Sequence, residues 1–558
     1  MAAPPANLSR ENSMERWLAG HTGTAATVAM LAGFLLRLWT ASGTFLNPDE
    51  ALHFRIANQS TLGLVYRASL AESHPPLLYW VLHFVRHLGT SEIWLRLPSV
   101  IAGTIFCWLL FRWLTQVTGQ LSGFIGLLLS SLLPPVVRLS AEVRQYALLL
   151  MFLAGALYLL ERALAEHSPA CMVASALSLY LAMLSHYSAL FFVIALGVYG
   201  LLKMFPSTER PSTRILALWI PTQLAALAVA LFLYKTHLSH LAYSNSRTVL
   251  QGWMSEFYLR RSYFEAGRDN PLLFVIGHSF GVFQFVFGQL VVGDVAGLLF
   301  LAAIVLLWRK SWINAYEIKS REHIKTGRTL ALFLVLLFAI ACGASLAHVY
   351  PFGGTRHSAF LIIPVVAGVG FVTARIAAQR WTLGVSLTLL IIALCAIFGR
   401  QHQPFITRDD QSRARMADAM DFILAHVAPG GLILTDYESS MVLGHYLCAQ
   451  TPFAVQVSSP QFETFTCDGD RIVTANRTTA TNFTPELFLN IRRSFVSTYD
   501  PKQGTAVWIF QAGWGVDLPE RLRESTEFHN LQFRAFGNNI KIFKLSSEET
   551  LEPPTFTP

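Results

Sequence analysis

Two adjacent carboxylates, Asp49 and Glu50, follow Asn47-Pro48 directly after the first long apolar run of this 558-residue chain. Pro48 ends that run and suits the first turn of a new helix. A helix over 49–60 places Asp49 and His53 on one face, one turn apart. Asp49 can then serve as a general base toward a hydroxyl. The plainer role of such a pair is to meet the positive end of the helix dipole. Glu50 and His53 also have the spacing of two ligands to a divalent cation, although no third ligand stands beside them.

Further polar groups interrupt the apolar sequence at short turns. His74-Pro75-Pro76 opens a second stretch, in "ESHPPLLYW". Arg138, Glu142, Arg144 and Tyr146 crowd "RLSAEVRQYALLL", where Arg138 and Glu142 have the spacing of a helix-end ion pair and Arg144 is left over. His186-Tyr187 lies between two apolar runs, and Arg356-His357 follows paired glycines in "YPFGGTRHSAF". The segment 235–270 adds Lys235, Arg247, Arg260, Arg261 and Arg268 among Tyr, Trp and Phe, a composition that also suits an interfacial aromatic belt. Carboxylates, imidazoles, guanidiniums and phenols gathered on one side of a membrane are what transfer from a phosphorylated, membrane-anchored donor needs. A base activates the acceptor, and cations stabilise the departing phosphate.

The elements that must position these groups are membrane spans. The chain is 53% hydrophobic and 14% charged, with a mean hydropathy of +0.44. Its apolar material falls into runs able to cross ~30 Å of hydrocarbon. These lie near 24–42, 97–111, 120–137, 145–160, 169–184, 187–205, 215–234, 282–308, 329–347, 358–374 and 382–398, about eleven spans. Shorter runs at 75–88 and 271–281 suit half-spans or interfacial helices. The first run lacks a cleavage site and is followed by Arg37 and Trp39, as in a retained span. Basic residues crowd 203–214 and 309–328, which orients residues 1–23 and these loops to the cytoplasm and the first loop, 43–96, to the outside.

From Arg400 onward the chain holds 14 basic and 18 acidic residues, against 28 and 16 before it. A basic membrane part suits anionic lipid headgroups, and no aromatic-interleaved basic module for nucleic acid appears. The tail, 400–558, has soluble alternation: a helix near 412–426 with Met416, Met420, Ile423 and Leu424 on one stripe, and strands near 432–434, 506–510 and 540–543. It reads as a small α/β domain on the outer side. Cys107, Cys171, Cys342 and Cys395 lie in apolar runs; Cys448 and Cys467 lie in the tail, where an extracytoplasmic setting would permit a disulfide.

The stretches "NPDEALHF", "SHPPLLYW", "EIWLRLPS", "LSAEVRQYALLL" and "SHYSALFF", in this order and spacing, resemble the GT-C superfamily of polyprenyl-phosphate-sugar glycosyltransferases. The nearest in pattern are bacterial proteins like the dolichyl-phosphate-mannose-protein mannosyltransferases and the aminoarabinose transferases. The likeness is good over 20–205 and loose beyond. It implies an all-helical polytopic core, 24–399, with its cavity on the extracytoplasmic side of a bacterial inner membrane. It also implies inverting transfer from a polyprenyl-phosphate-linked sugar to a lipid, glycan or protein acceptor. Matched residue by residue, the family's catalytic carboxylate falls on Asp49, with Glu50 orienting the acceptor or a cation. His74, Glu142, Arg144 and Tyr146 then line the donor site, with His53, His186, Tyr187, Arg356 and His357 as further substrate contacts. The family often has Arg-Tyr where this chain has Arg356-His357. The rival expectation is a transporter or flippase for lipid-linked glycans. Against it, Asp294 is the one acid in the middle of an apolar run, and no internal repeat is evident.

Overall fold

The computed structural model describes residues 6–70, 72–205, 213–239, 259, 261–309, 321–399, 412–427, 431–448, 456–457, 462–467, 470–475, 507–513 and 532–545. Arg247, Arg260, Lys310 and Lys319 lie outside these residues. The helices are α1 (Ala6–Ser42), α2 (Pro48–Ala57), α3 (Leu62–Ser69), α4 (Leu77–Val85), α5 (Glu92–Thr118), α6 (Gln120–Leu132), α7 (Pro134–Leu139), α8 (Tyr146–Ala165), α9 (Pro169–Ser185), α10 (Ala189–Met204) and α11 (Thr213–Leu233). There follow α12 (Pro271–Phe287), α13 (Leu290–Trp308), α14 (Arg321–Leu346), α15 (Ile362–Gln379), α16 (Trp381–Phe398), α17 (Arg413–His426) and α18 (Tyr437–Cys448).

Among the described residues, eight helical stretches are long and apolar enough to cross a membrane, and α6, α9, α10 and α12 are shorter apolar helices. The expected run 282–308 is divided: Gly288, at φ 68°, closes α12, and α13 restarts two residues later behind a Gln289 cap. The first run belongs to a longer helix, α1, which is already helical at Ala6. The central helix is α15, most of it buried, with α6, α13 and α16 packed around it. Leucines on the outer helices, such as Leu31, Leu224, Leu298 and Leu389, face outward instead. That is the pattern of a bundle whose solvent is lipid.

Arg37, wholly buried in α1, donates to the carbonyls of Gly33 (3.0 Å), Ser130 (2.8 Å) and Ser131 (3.1 Å), and to Cys107 Sγ (3.3 Å). A guanidinium at membrane depth is tolerable when carbonyls replace its water.

The tail forms a mixed sheet in the order β2-β3-β4-β1-β5-β7-β6. Its strands are β1 (Leu432–Thr435), β2 (Gln456–Val457), β3 (Phe462–Cys467), β4 (Asp470–Ala475), β5 (Val507–Ala512), β6 (Gln532–Ala535) and β7 (Ile540–Leu545). β1 runs parallel to β4 and β5, and the remaining pairs are antiparallel. Both central strands, β1 and β5, are buried along their whole length, which is why their sequences are mostly apolar, with Thr435 and Gln511 as the polar exceptions. α17 buries Met416, Ala419, Met420 and Ile423. Leu424, expected on that stripe, is 60% exposed, because Ala419 takes the position facing the sheet. Cys448 is paired with Cys467, their Cα atoms 5.3 Å apart.

Candidate active site

The start of α2 is built as its sequence suggests. Asn47 caps the helix with its side chain accepting from Glu50 N, while the Glu50 carboxylate accepts from Asn47 N, both at 3.0 Å. Pro48 occupies the first turn. The two acids then part company. Glu50 is fully buried and receives Arg96 through two hydrogen bonds, of 2.8 and 2.7 Å, and Val143 N at 2.8 Å. Arg96 spends its other donors on the carbonyls of Ala41, Thr44 and Phe45 and on Thr44 Oγ1, at 2.7 to 2.9 Å. Thus engaged, the Glu50 carboxylate pins α2 to α5. Among the described residues no group of three or more His, Cys, Asp or Glu could hold a metal ion.

Asp49 points the other way. Its side chain keeps 31% of its exposure and is met by two guanidiniums, Arg144 and Arg356, the latter at 3.0 Å. Arg144 and Arg356 are themselves nearly buried. Asp49 is thus a carboxylate partly open to solvent, held between two cations that converge on it. Arg356 belongs to a short 3-10 turn, Arg356–Leu361, ahead of α15. It reaches a residue 307 positions earlier in the chain.

A row of rings borders these charges. His53 lies 5.6 Å from His74 and 5.5 Å from Tyr79, centroid to centroid. His74 stacks on His186 at 5.9 Å, and Tyr146 lies 5.3 Å from His186. Tyr350 continues the row, 6.4 Å from His186 and 6.3 Å from His357, and donates its hydroxyl to the His357 carbonyl at 3.0 Å. A tyrosine thus stands beside the Arg356-His357 pair, supplied from six residues upstream instead of from the next position.

Burial holds these imidazoles neutral. His53 is pushed down to about 3, by desolvation first and then by Arg356. His186 is pushed to about 3 by desolvation, and His74 falls well below its ordinary value by burial and then by its neighbour His53. Glu142 is raised to about 7 by burial, with Glu50 as the next cause, so it is largely uncharged below neutrality. Burial also raises the Tyr187 phenol.

The site thus brings together Asp49, Arg144, Arg356, His53, His74, Tyr146, His186 and His357 from the expected set. Among the described residues, the buried polar atoms without a hydrogen-bond partner include His53 Nδ1, Gln145 Oε1, the Tyr187 hydroxyl and Thr355 Oγ1. Gln145, whose Nε2 lies 3.0 Å from His74 Nδ1, was not anticipated; nor were Arg96, Tyr79, Tyr350 and Thr355. Arg96 stands in the quoted stretch "EIWLRLPS", and a charge followed by an apolar span was its only signal. Asp294, the rival reading's candidate, accepts from Gln284 at 2.8 Å and takes no part in this cluster.

Residues 73–240 match the family model described as dolichyl-phosphate-mannose-protein mannosyltransferase. Comparison with solved structures gives ArnT from Cupriavidus metallidurans bound to undecaprenyl phosphate, with a TM-score of 0.51 at 12% identity, covering 96% of this chain and 99% of that one. The chain has the GT-C fold. Its resemblance to GT-C polyprenyl-phosphate-sugar glycosyltransferases, read from sequence motifs, is therefore met by a family match and by the architecture. Two further matches are ArnT in the apo state (TM-score 0.49, 13% identity, 95% of this chain and 98% of that one) and the archaeal oligosaccharyltransferase AglB from Archaeoglobus fulgidus (0.46, 11%, 88% and 70%). No curated protein matches by sequence. The fold and the eight apolar helices are those of a multi-pass membrane protein, and residues 73–240 are similar to a glycosyltransferase family.

Proposed function

We propose that this chain transfers a sugar, with inversion, from a polyprenyl-phosphate donor to an extracytoplasmic lipid, glycan or protein acceptor. Its setting would be a bacterial inner membrane, with the bundle 24–399 doing the chemistry and the tail, 400–558, on the same outer side. The observation that carries the reading is the convergence of Arg144 and Arg356 on the partly exposed Asp49. A phosphate diester suits two guanidiniums that converge on one point, since the guanidinium fork matches its oxygens. When the phosphate shares those guanidiniums, Asp49 is released to its second partner, the acceptor hydroxyl.

The step then balances as follows. Asp49 takes the hydroxyl proton while the acceptor oxygen forms a bond to the anomeric carbon. The bond from that carbon to the phosphate oxygen breaks, and its electron pair leaves with the polyprenyl phosphate, stabilised by Arg144 and Arg356. The neutral imidazoles and the phenols of Tyr146 and Tyr350 offer the sugar ring aromatic faces without adding charge. The test supplies membranes containing the protein with labelled undecaprenyl-phosphate-linked sugar. Consumption of the lipid donor with label appearing in a second product supports the proposal. Movement of intact lipid across proteoliposomes, with no bond cleaved, contradicts it in favour of transport.

A further inference from the structure

We infer that the C-terminal sheet domain is a positioning module for α2, so that sugar transfer depends on tail residues that never touch the substrate. The inference rests on the reading of Asp49 as the base. Its ground is how closely the tail grips the segment that carries Asp49. The backbone of Thr44 pairs with Ser412, and Arg413 N donates to Gly43 O at 3.3 Å. Phe45, wholly buried, belongs to the tail's own core with Met416, Ile433, Val442 and Phe510. In exchange Met441, from α18, enters the core formed by Leu46, Ala51, Phe54, Leu95 and Ala147. Each unit completes the other's interior on either side of Asp49.

Polar contacts fix the register of this packing. The Tyr446 hydroxyl accepts from Leu46 N at 3.0 Å and donates to Glu92 Oε1 at 2.8 Å. Glu92 also pairs with Arg413 at 3.4 Å. Leu46 immediately precedes the cap of α2, and Glu92 lies one turn before Arg96, the residue that holds Glu50. One phenol therefore ties together the two elements whose separation sets where Asp49 stands. At the end of β5, Gly513 adopts φ 107° and abuts Pro48, where a Cβ would come within 2.6 Å of Pro48 Cγ. Only glycine fits this approach. His445 packs edge-on against Phe54 at 5.0 Å, and Arg55 donates to Met441 Sδ at 3.2 Å. These tail groups meet α2, the segment before it and Glu92 of α5, so their influence on chemistry passes through the elements that hold Asp49.

The experiment uses the full chain in nanodiscs, with labelled undecaprenyl-phosphate-linked sugar as the probe. It pairs turnover with hydrogen exchange of the α2 amides in Tyr446→Phe and Gly513→Ala. A displacement of about 1 Å at a reacting group costs about 100-fold in rate. Both variants should therefore lose about 10- to 100-fold in kcat, keep KM for the donor within about twofold, and exchange faster over 48–57 than wild type. A merely structural tail would lower stability while leaving kcat per folded molecule intact. Wild-type kcat in folded protein of either variant, or a kcat loss with unchanged exchange over 48–57, overturns the inference. If one variant fails to fold, the other decides. Activity in Asp49→Asn would instead overturn the base assignment and leave the exchange coupling standing.

Discussion

Asp49 and Glu50 are neighbours in sequence and share one helix turn, yet one faces a polar opening and the other is sealed inside. Glu50 is fully buried, matched by a single fork-like guanidinium and two backbone amides. Asp49 retains 31% exposure and sits between two arginines from distant parts of the chain. A buried carboxylate with every lone pair occupied is a fastener. One left partly open between two cations can change partners, as a catalytic base must. The first acid places the second.

That contrast can be broken from the Glu50 side with the largest effect on stability. Glu50→Gln leaves Arg96 buried without its counter-charge, a change expected to cost about 3–5 kcal/mol. Thermal unfolding in detergent should show a clear drop, with activity lost alongside it. An unshifted unfolding transition would show that the Glu50–Arg96 pair does not hold α2.

From the Asp49 side, Arg356→Lys keeps the charge but loses the fork. Loss of a charge-assisted hydrogen bond of about 1.5–3 kcal/mol corresponds to about 10- to 100-fold weaker binding of undecaprenyl phosphate, measured by titration. Unfolding should be little affected, in contrast to Glu50→Gln. Equal affinity in wild type and variant would remove Arg356 from the phosphate site.

The histidines sharpen the comparison by pH. His53 and His186 have folded-state values near 3, below their unfolded value of 6.5, so they contribute stability that is present above 6.5 and lost as pH falls toward 3. Glu142, raised from 4.5 to about 7, acts oppositely, with stability present below 4.5 and lost as pH rises to 7. Between 4.5 and 6.5 the desolvated imidazoles, His74 and His357 among them, outnumber the single glutamate. Stability should therefore rise with pH there. His53→Gln should flatten that slope in a pH series of unfolding measurements, and an unchanged slope would count against the buried neutral imidazole.

Much of this was legible in the sequence, for local reasons. Asn47, Pro48 and Glu50 carry a cap, a first-turn proline and a capping box within four residues, so α2 starts where expected. The apolar runs marked the bundle because lipid selects for them wherever they fall. The dual fate of Asp49 and Glu50 was not legible. It depends on Arg96, 46 positions away, and on Arg356, 307 positions away, and spacing cannot show which acid each arginine will reach. The division of 282–308 was hidden for a different reason: Gly288 breaks the helix without interrupting its hydropathy.

The central claim is that Asp49 acts in chemistry while its neighbour holds the fold. Its most direct test is Asp49→Asn, assayed side by side for unfolding temperature and for turnover of labelled undecaprenyl-phosphate-linked sugar. The account predicts an unfolding temperature close to wild type with turnover down by about 10²–10⁴-fold. A folded Asp49→Asn protein that turns over at the wild-type rate would contradict it.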